Sequence, residues 1–208
     1  MLETAVHLSD SSLPFTVRTP MNISLYIWTF LAMLQHAPIE HLPDFEGHVE
    51  TQTEALARYG AIAQVIVEVC DAESKAPKNC VALLVALGIG ESHFAKDADI
   101  GPCHRKGGFK GRCDGGLAAS VWQTHAYGHD KNGKQITVER LFAERRLAAE
   151  VALRQARSSI RACAHLPRRN QLAGLAGRCD PSPQHMKSAQ SRYDGWQALL
   201  TWTWKVTP

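Results

Sequence analysis

The sequence lacks several patterns, and each absence argues against a class of protein. No run of lysine and arginine is interleaved with aromatic residues, and the net charge is only +3, so we expect no nucleic-acid partner. The apolar run at residues 23–34 is too short to cross a bilayer, so we expect no stable membrane insertion. Internal repeats and low-complexity tracts are also absent, which fits a globular chain of 208 residues.

The N-terminal segment leaves two interpretations open. Residues 1–45 are interpreted as a tail with a short apolar helix or signal-like segment, and residues 46–208 as the folded domain. Arg18 gives only a weak positive region before the apolar run, and no clear small-x-small cleavage site follows it. A signal peptide and a buried helix therefore remain alternatives, and we expect a monomer.

The six cysteines form local couples around polar stretches where a short disulfide is geometrically easy. The couples are Cys70 with Cys80, Cys103 with Cys113, and Cys163 with Cys179. An even count favours disulfides and an oxidising, extracytoplasmic compartment, although six cysteines allow fifteen pairings. Two alternatives remain, namely reduced cytosolic thiols or a zinc site. The zinc site would use Cys103, His104, Cys113 and His125, without the usual C-x-x-C spacing.

Hydrophobic periodicity predicts a mainly α fold with a small glycine-rich loop or β-hairpin insert. Helices are predicted over residues 25–34, 53–69, 80–94, 117–127, 137–163 and 183–200. Asn79 is the predicted N-cap of the third helix. Residues 95–116 are crowded with glycine, aspartate and basic residues, so they are interpreted as the insert. Long loops of this kind are usually functional.

Glu91 is the candidate catalytic residue. It follows residues 81–89, which are almost entirely valine, leucine and alanine and therefore predict a buried helix. A carboxyl group on the last turn of such a helix is partly removed from water, which raises its pKa toward the range of a general acid. The alternative is a surface glutamate, but a negative charge near a helix C-terminus is unfavourable.

Two segments together resemble a known superfamily. Glu91-Ser92-His93-Phe94 matches an E-S-x-F pattern, and residues 118–123, Ala-Ala-Ser-Val-Trp-Gln, match an A-x-G-L-M-Q-like pattern. In this order, separated by a loop and set among helices, they resemble the lysozyme-like superfamily. The resemblance is particularly to soluble lytic transglycosylases and related phage and bacterial wall-degrading domains, and it covers roughly residues 53–200.

The resemblance implies an α+β lysozyme-like fold and a peptidoglycan-cleaving glycosidase. The bond cut would be the β-1,4 linkage between N-acetylmuramic acid and N-acetylglucosamine, and the partners would be the glycan strands. Glu91 would act first as the acid and then as the base of a lytic transglycosylase with a single catalytic glutamate. No cofactor and no metal are implied.

The resemblance also assigns substrate-binding residues. Ser92 would orient Glu91 or bind a sugar amide, and Gln123 would contact the N-acetyl sugar. Trp122 replaces the usual methionine and would pack beneath a sugar ring or fill the core. Ser120 stands where glycine is usual, which is tolerable if that position has a negative φ.

These families also carry a tyrosine that leans over the catalytic glutamate. The corresponding element here, Leu175-Ala176-Gly177-Arg178, contains none. Tyr127 or Tyr193 would then have to supply the hydroxyl group from elsewhere in the fold.

A second carboxylate would decide the reaction, and Asp97, Asp99 and Asp114 are the candidates. If one of them positions a water molecule, the protein is a hydrolytic lysozyme or endolysin. Without one, the substrate's own hydroxyl attacks and a 1,6-anhydro ring forms. Further alternatives are a chitinase or chitosanase, a metal-dependent hydrolase, and a non-catalytic lysozyme-like protein that binds the wall or builds a phage particle.

Overall fold

Helices dominate the molecule, as the sequence predicts. The computed structural model describes residues 21–39, 50–100, 113–180 and 182–203. The helices of these residues are α1 (Ile23–His36), α2 (Gln52–Glu73), α3 (Pro77–Ser92), α4 (Lys96–Asp99), α5 (Cys113–Gly116), α6 (Val138–Ala143), α7 (Arg145–Ala162) and α8 (Pro183–Thr201), with a 3₁₀ helix over Arg168–Ala176. Strands β1 (Ala118–Ala119) and β2 (Thr124–His125) form one antiparallel hairpin. The predicted fold class, mainly α with a small β-hairpin, is therefore confirmed.

The buried centre of the fold is α3, whose residues from Cys80 to Gly88 are all buried. This helix is apolar around its whole circumference, so it can be buried by the four helices α1, α2, α7 and α8 that pack against it. It begins one turn earlier than predicted, with Pro77 in its first turn, where the missing proline N–H costs nothing. Asn79 is consequently not the N-cap, and its side-chain oxygen accepts a hydrogen bond from Trp196 Nε1 at 3.0 Å.

The end of α3 is fixed by close packing. Its C-cap, His93, and the next residue, Phe94, both have a positive φ, so the chain turns sharply there. A Cβ atom on Gly88 would lie 2.3 Å from the Phe94 ring, so only glycine admits that ring. Arg58 on α2 donates to the Phe94 carbonyl at 2.6 Å and to both oxygens of Glu50. The turn that follows Glu91 is therefore held from several sides.

The first helix packs against α2 and α3. Its buried residues Ala32 and Met33 belong to the same hydrophobic core as α3. None of the helices among the described residues combines the length and the apolar character needed to span a membrane.

The start of α2 is defined by a capping box, in which Thr51 and Glu54 satisfy each other's backbone N–H groups.

The prediction of a helix over residues 117–127 is wrong, because that segment forms the β1–β2 hairpin. Ser120 and Gln123 have positive φ values of 65° and 47°, which an α-helix excludes. Two side-chain bonds hold the hairpin to α3: Ser92 Oγ donates to the Val121 carbonyl at 2.7 Å, and Trp122 Nε1 donates to the Leu84 carbonyl at 2.9 Å. These tertiary contacts override the local propensity for helix.

Two other predicted elements differ in part. The loop predicted over 95–116 contains the short helices α4 and α5, while residues 101–112 lie outside the described part of the chain. The helix predicted over 137–163 breaks at Glu144, which separates α6 from α7. No glycine or proline marks this break, so the sequence carries no local signal for it.

Disulfides connect the helices. Cys70 is bonded to Cys80, which joins α2 to α3, and Cys163 is bonded to Cys179, which joins the end of α7 to the segment after the 3₁₀ helix. Both predicted pairings are confirmed. Cys113 is also disulfide-bonded, and its predicted partner, Cys103, lies outside the described residues. A thiol committed to a disulfide is not available as a zinc ligand.

Candidate active site

A polar cleft lies at the C-terminal end of α3. The cavity has a volume of about 500 Å³ and is formed by the end of α3, the β-hairpin, α5, α7, the 3₁₀ helix and α8. The described residues that line it are Leu87, Glu91, Ser92, His93, Cys113, Asp114, Trp122, Gln123, Thr124, His125, Ala152, Gln155, Leu175, Ala176 and Arg192. Both segments of the sequence motif therefore meet at one cavity.

Glu91 lies in the wall of this cleft with 20% of its side chain exposed. Burial raises the pKa of its carboxyl group above the ordinary value, and this effect is larger than the opposing effect of Arg192. The nearby charge of Asp114 raises this pKa further, while His125 lowers it. The pKa of the carboxyl group is therefore shifted in the direction that favours a proton donor.

Arg192, which the sequence analysis did not identify, is the direct partner of Glu91. Its Nη2 lies 2.6 Å from Glu91 Oε1, and only 12% of its side chain is exposed. The stem of Arg192 passes close to α3, since a Cβ on Gly90 would lie 3.4 Å from Arg192 Cγ, an ordinary contact. The Nε and Nη1 atoms are buried and have no hydrogen-bond partner among the described residues. No local signal links Glu91 with a residue so far along the chain.

A second pair of hydrogen-bonded polar side chains lines the same cavity. His125 Nε2 lies 2.8 Å from Asp114 Oδ2, and the two side chains are 51% and 67% exposed, respectively. Asp114 lies on α5, directly after the disulfide-bonded Cys113, and His125 ends β2. Gln155 on α7 donates to the His125 carbonyl at 3.1 Å, which holds this end of the hairpin.

The predicted substrate-binding residues differ in their surroundings. Ser92 lines the cavity, but its hydroxyl group donates to the Val121 carbonyl and is committed to holding the hairpin. Trp122 lines the cavity and is almost entirely buried. Gln123 lines the cavity, and its amide nitrogen donates to the Ser120 carbonyl at 2.9 Å. Their contacts with a sugar remain predictions.

Ser120 is buried and does not appear in the cavity wall. The negative φ that would make serine tolerable in place of glycine is not observed, since φ is 65°. The backbone at this position thus has the conformation that glycine adopts at no steric cost, and serine adopts it under strain.

Of the three candidate second carboxylates, Asp114 is the one that lines the cavity among the described residues. Asp99 is buried and accepts bonds from Nε and Nη2 of Arg145, which ties α4 to the start of α7. Asp97 is fully buried on α4 and does not line the cavity.

A second cavity of about 690 Å³ continues from the first. The two share Asp114, His125, Gln155, Leu175 and Ala176 in their walls. Tyr127, which is 60% exposed, lines the second cavity and not the first. Together the two cavities form an elongated groove along α7 and the 3₁₀ helix.

The other candidate tyrosine, Tyr193, packs against Trp196 and the hydrophobic core and does not line the cleft in the described structure. Leu175 and Ala176, from the element that lacks the family's tyrosine, form part of the cleft wall. That element therefore lies at the cleft without supplying a hydroxyl group to it.

Backbone strain is concentrated around the cleft. The non-glycine residues with a positive φ in the described chain are His93, Phe94, Cys113, Asp114, Ser120 and Gln123. His93, Cys113, Asp114 and Gln123 line the cavity. Phe94 follows His93 in the chain, and the Ser120 carbonyl accepts a hydrogen bond from Gln123. Such conformations cost on the order of 1–3 kcal/mol each and occur preferentially at functional sites. Their clustering supports a functional role for this cavity.

The chain matches no protein-family model, no curated protein and no solved structure. No group of three or more histidine, cysteine, aspartate or glutamate residues within the described ranges is arranged to hold a metal ion. The candidate site therefore has to be interpreted from its own geometry.

Proposed function

We propose that this protein is a peptidoglycan-cleaving glycosidase in which Glu91 donates the proton. The bond cut is the β-1,4 linkage between N-acetylmuramic acid and N-acetylglucosamine. The observation that carries this proposal is the Glu91 carboxyl group in the wall of a 500 Å³ polar cleft, with its pKa raised by burial. The lysozyme-like motifs agree with it, because both meet at this cleft.

Glycoside cleavage requires a proton on the departing oxygen and an oxocarbenium-like transition state. Glu91 in its protonated form supplies that proton, and the bond between the anomeric carbon and the glycosidic oxygen breaks. The resulting Glu91 carboxylate is stabilised by Arg192 at 2.6 Å. In the transglycosylase reaction, Glu91 then removes the proton of the sugar's 6-hydroxyl group as that oxygen attacks the anomeric carbon. In the hydrolytic reaction, water attacks instead.

The elongated groove supports a polymeric substrate. Its walls carry amide and hydroxyl groups at Gln123, Gln155 and Tyr127, which suit the hydroxyl and acetamido groups of a glycan. An exposed aromatic ring such as Tyr127 also offers an apolar face to a sugar ring. The disulfides support action outside the cytoplasm, where the cell wall is found.

Product analysis of digested peptidoglycan tests this proposal. Purified sacculi are incubated with the protein, and soluble products are identified by mass spectrometry, in parallel with chitin oligomers. Disaccharides that still carry intact peptides are expected, because the glycan and not the peptide is cut. Free peptides would indicate an amidase or peptidase and would contradict the proposal. Cleavage of chitin oligomers alone would indicate a chitinase.

The Glu91–Arg192 ion pair favours one other function. An arginine at 2.6 Å stabilises the ionised carboxylate, which is not a proton donor. A non-catalytic lysozyme-like protein that binds the cell wall would retain such a pair for stability. In that case sacculi would bind the protein in a pull-down experiment and release no soluble products.

A further inference from the structure

The Asp114–His125 pair has the arrangement of a general base and its orienting carboxylate. Nε2 of His125 lies 2.8 Å from Asp114 Oδ2. Both side chains line the cavity that contains Glu91, and both are more than half exposed. Gln155 on α7 donates to the His125 carbonyl at 3.1 Å, which anchors the backbone of His125.

The hydrogen bond determines which ring nitrogen of His125 can accept a proton. When neutral His125 donates its Nε2 proton to Asp114, the lone pair resides on Nδ1. Nδ1 makes no hydrogen bond to another residue in the described parts of the chain. Because the side chain is half exposed, Nδ1 is accessible to a water molecule within the cleft. Asp114 would also stabilise the imidazolium ion that forms on proton transfer.

The alternative bases are placed less favourably. Asp99 is bonded to Arg145, and Asp97 does not line the cavity. Ser92 has committed its hydroxyl proton to the Val121 carbonyl. His93 also lines the cavity and is exposed. Of the two histidines that line this cavity among the described residues, His125 is the one whose ring is bonded to a carboxylate, that of Asp114.

We propose that His125, oriented by Asp114, removes a proton from the water that attacks the anomeric carbon. This inference rests on the proposed function and specifies it as hydrolysis. Glu91 gives its proton to the glycosidic oxygen as the bond to the anomeric carbon breaks. The water oxygen bonds to that carbon, and its proton passes to His125 Nδ1. The products are a reducing sugar and a free 4-hydroxyl group. Solvent then returns the proton from His125 to Glu91.

The test compares hydrolytic with 1,6-anhydro products from purified peptidoglycan, which differ in mass by one water. His125→Gln removes the proton acceptor, and Asp114→Asn removes the charge that orients it. The matched control is His165→Gln, because His165 is exposed and lines neither cavity. Wild type and His165→Gln are expected to release reducing-end products at equal rates. His125→Gln should lower that rate by about 10²-fold or more, and Asp114→Asn should lower it by less.

The fraction of products formed by hydrolysis distinguishes a chemical role of the Asp114–His125 pair from a structural role. A variant that is merely destabilised loses both product types together, and its thermal unfolding midpoint falls. Loss of hydrolysis by His125→Gln with an unchanged unfolding midpoint supports the inference. Hydrolysis by His125→Gln at the wild-type rate overturns it. Wild-type release of 1,6-anhydro products alone also overturns it while leaving the proposed function intact. No glycan products from the wild type would overturn the proposed function itself.

Discussion

At the scale of single residues, two opposing effects act on Glu91. Burial raises the pKa of its carboxyl group, while the charge and the hydrogen bond of Arg192 lower it. The burial effect is the larger, so the protonated form is favoured more than in water. Arg192 limits the rise and stabilises the carboxylate left after proton transfer.

Arg192→Gln tests this balance. The substitution removes the cationic neighbour that lowers the pKa of Glu91, so that pKa should rise further. Because Glu91 must be protonated for the first step, activity is present below its pKa and lost above it. The alkaline limb of kcat/KM against pH should therefore move to higher pH, while a shift to lower pH would contradict the assignment. Arg169→Gln is the matched control, since Arg169 pairs with Asp194 on the exposed surface.

The positive φ of Ser120 gives a second residue-scale prediction. Ser120→Gly should leave the protein more stable than Ser120→Ala by about 1 kcal/mol, because alanine pays the left-handed penalty and glycine does not. Urea unfolding of the two variants measures the difference. Greater stability of the alanine variant would contradict the observed backbone conformation.

The sequence predicts Glu91 as the candidate acid but indicates neither its partner Arg192 nor the bond between Asp114 and His125. Glu91 is detectable because its burial follows from the apolar helix immediately before it. Arg192 lies on α8 and reaches Glu91 through the packing of α3 against α8, which leaves no local pattern. The sequence suggests His125 only as a zinc ligand, because its bond to Asp114 depends on the path of the hairpin.

At the scale of elements, the long amphipathic helices were predictable, whereas the position of the hairpin was not. α2 and α8 have regular apolar spacing and clear caps or end signals, so their sequence determines them locally. Residues 117–127 are small and apolar enough for a helix. Their hairpin conformation depends on contacts made by Ser92 and Trp122 with distant backbone carbonyls.

Gly88 provides the element-scale test. Gly88→Ala places a methyl group within 2.3 Å of the Phe94 ring, so it should destabilise the protein by about 1–3 kcal/mol. It should also lower activity, because the turn after Glu91 would shift. Gly195→Ala on α8 is the control, since its Cβ would lie 3.9 Å from Ala86, an ordinary contact. The control should be neutral or stabilised by up to about 1 kcal/mol. Equal unfolding free energies for both variants would contradict the close packing.

At the scale of the whole molecule, elements from most of the chain form the cleft. The two described disulfides differ in how near they lie to it. Cys163–Cys179 braces the segment that contains Leu175 and Ala176 in the cleft wall. Cys70–Cys80 lies near the opposite end of α3, eleven residues or roughly 16 Å from Glu91 along the helix.

Replacing each disulfide by two serines should therefore have different effects on substrate binding. Both pairs of substitutions should lower the free energy of unfolding by about 2–4 kcal/mol, as measured in urea. Below the unfolding transition, Cys163→Ser with Cys179→Ser should raise KM, whereas Cys70→Ser with Cys80→Ser should leave KM unchanged. The reverse pattern would show that the groove along the 3₁₀ helix does not bind substrate.

The measurement that tests the central claim most directly is the rate of glycan cleavage by Glu91→Gln. Glutamine keeps the size of the side chain but supplies no acidic proton, and Glu68→Gln on the surface of α2 is the matched control. The account predicts that kcat on purified peptidoglycan fragments falls by about 10²- to 10⁴-fold in Glu91→Gln and is unchanged in Glu68→Gln. A Glu91→Gln rate equal to that of the wild type would contradict the claim that this carboxyl group performs the chemistry.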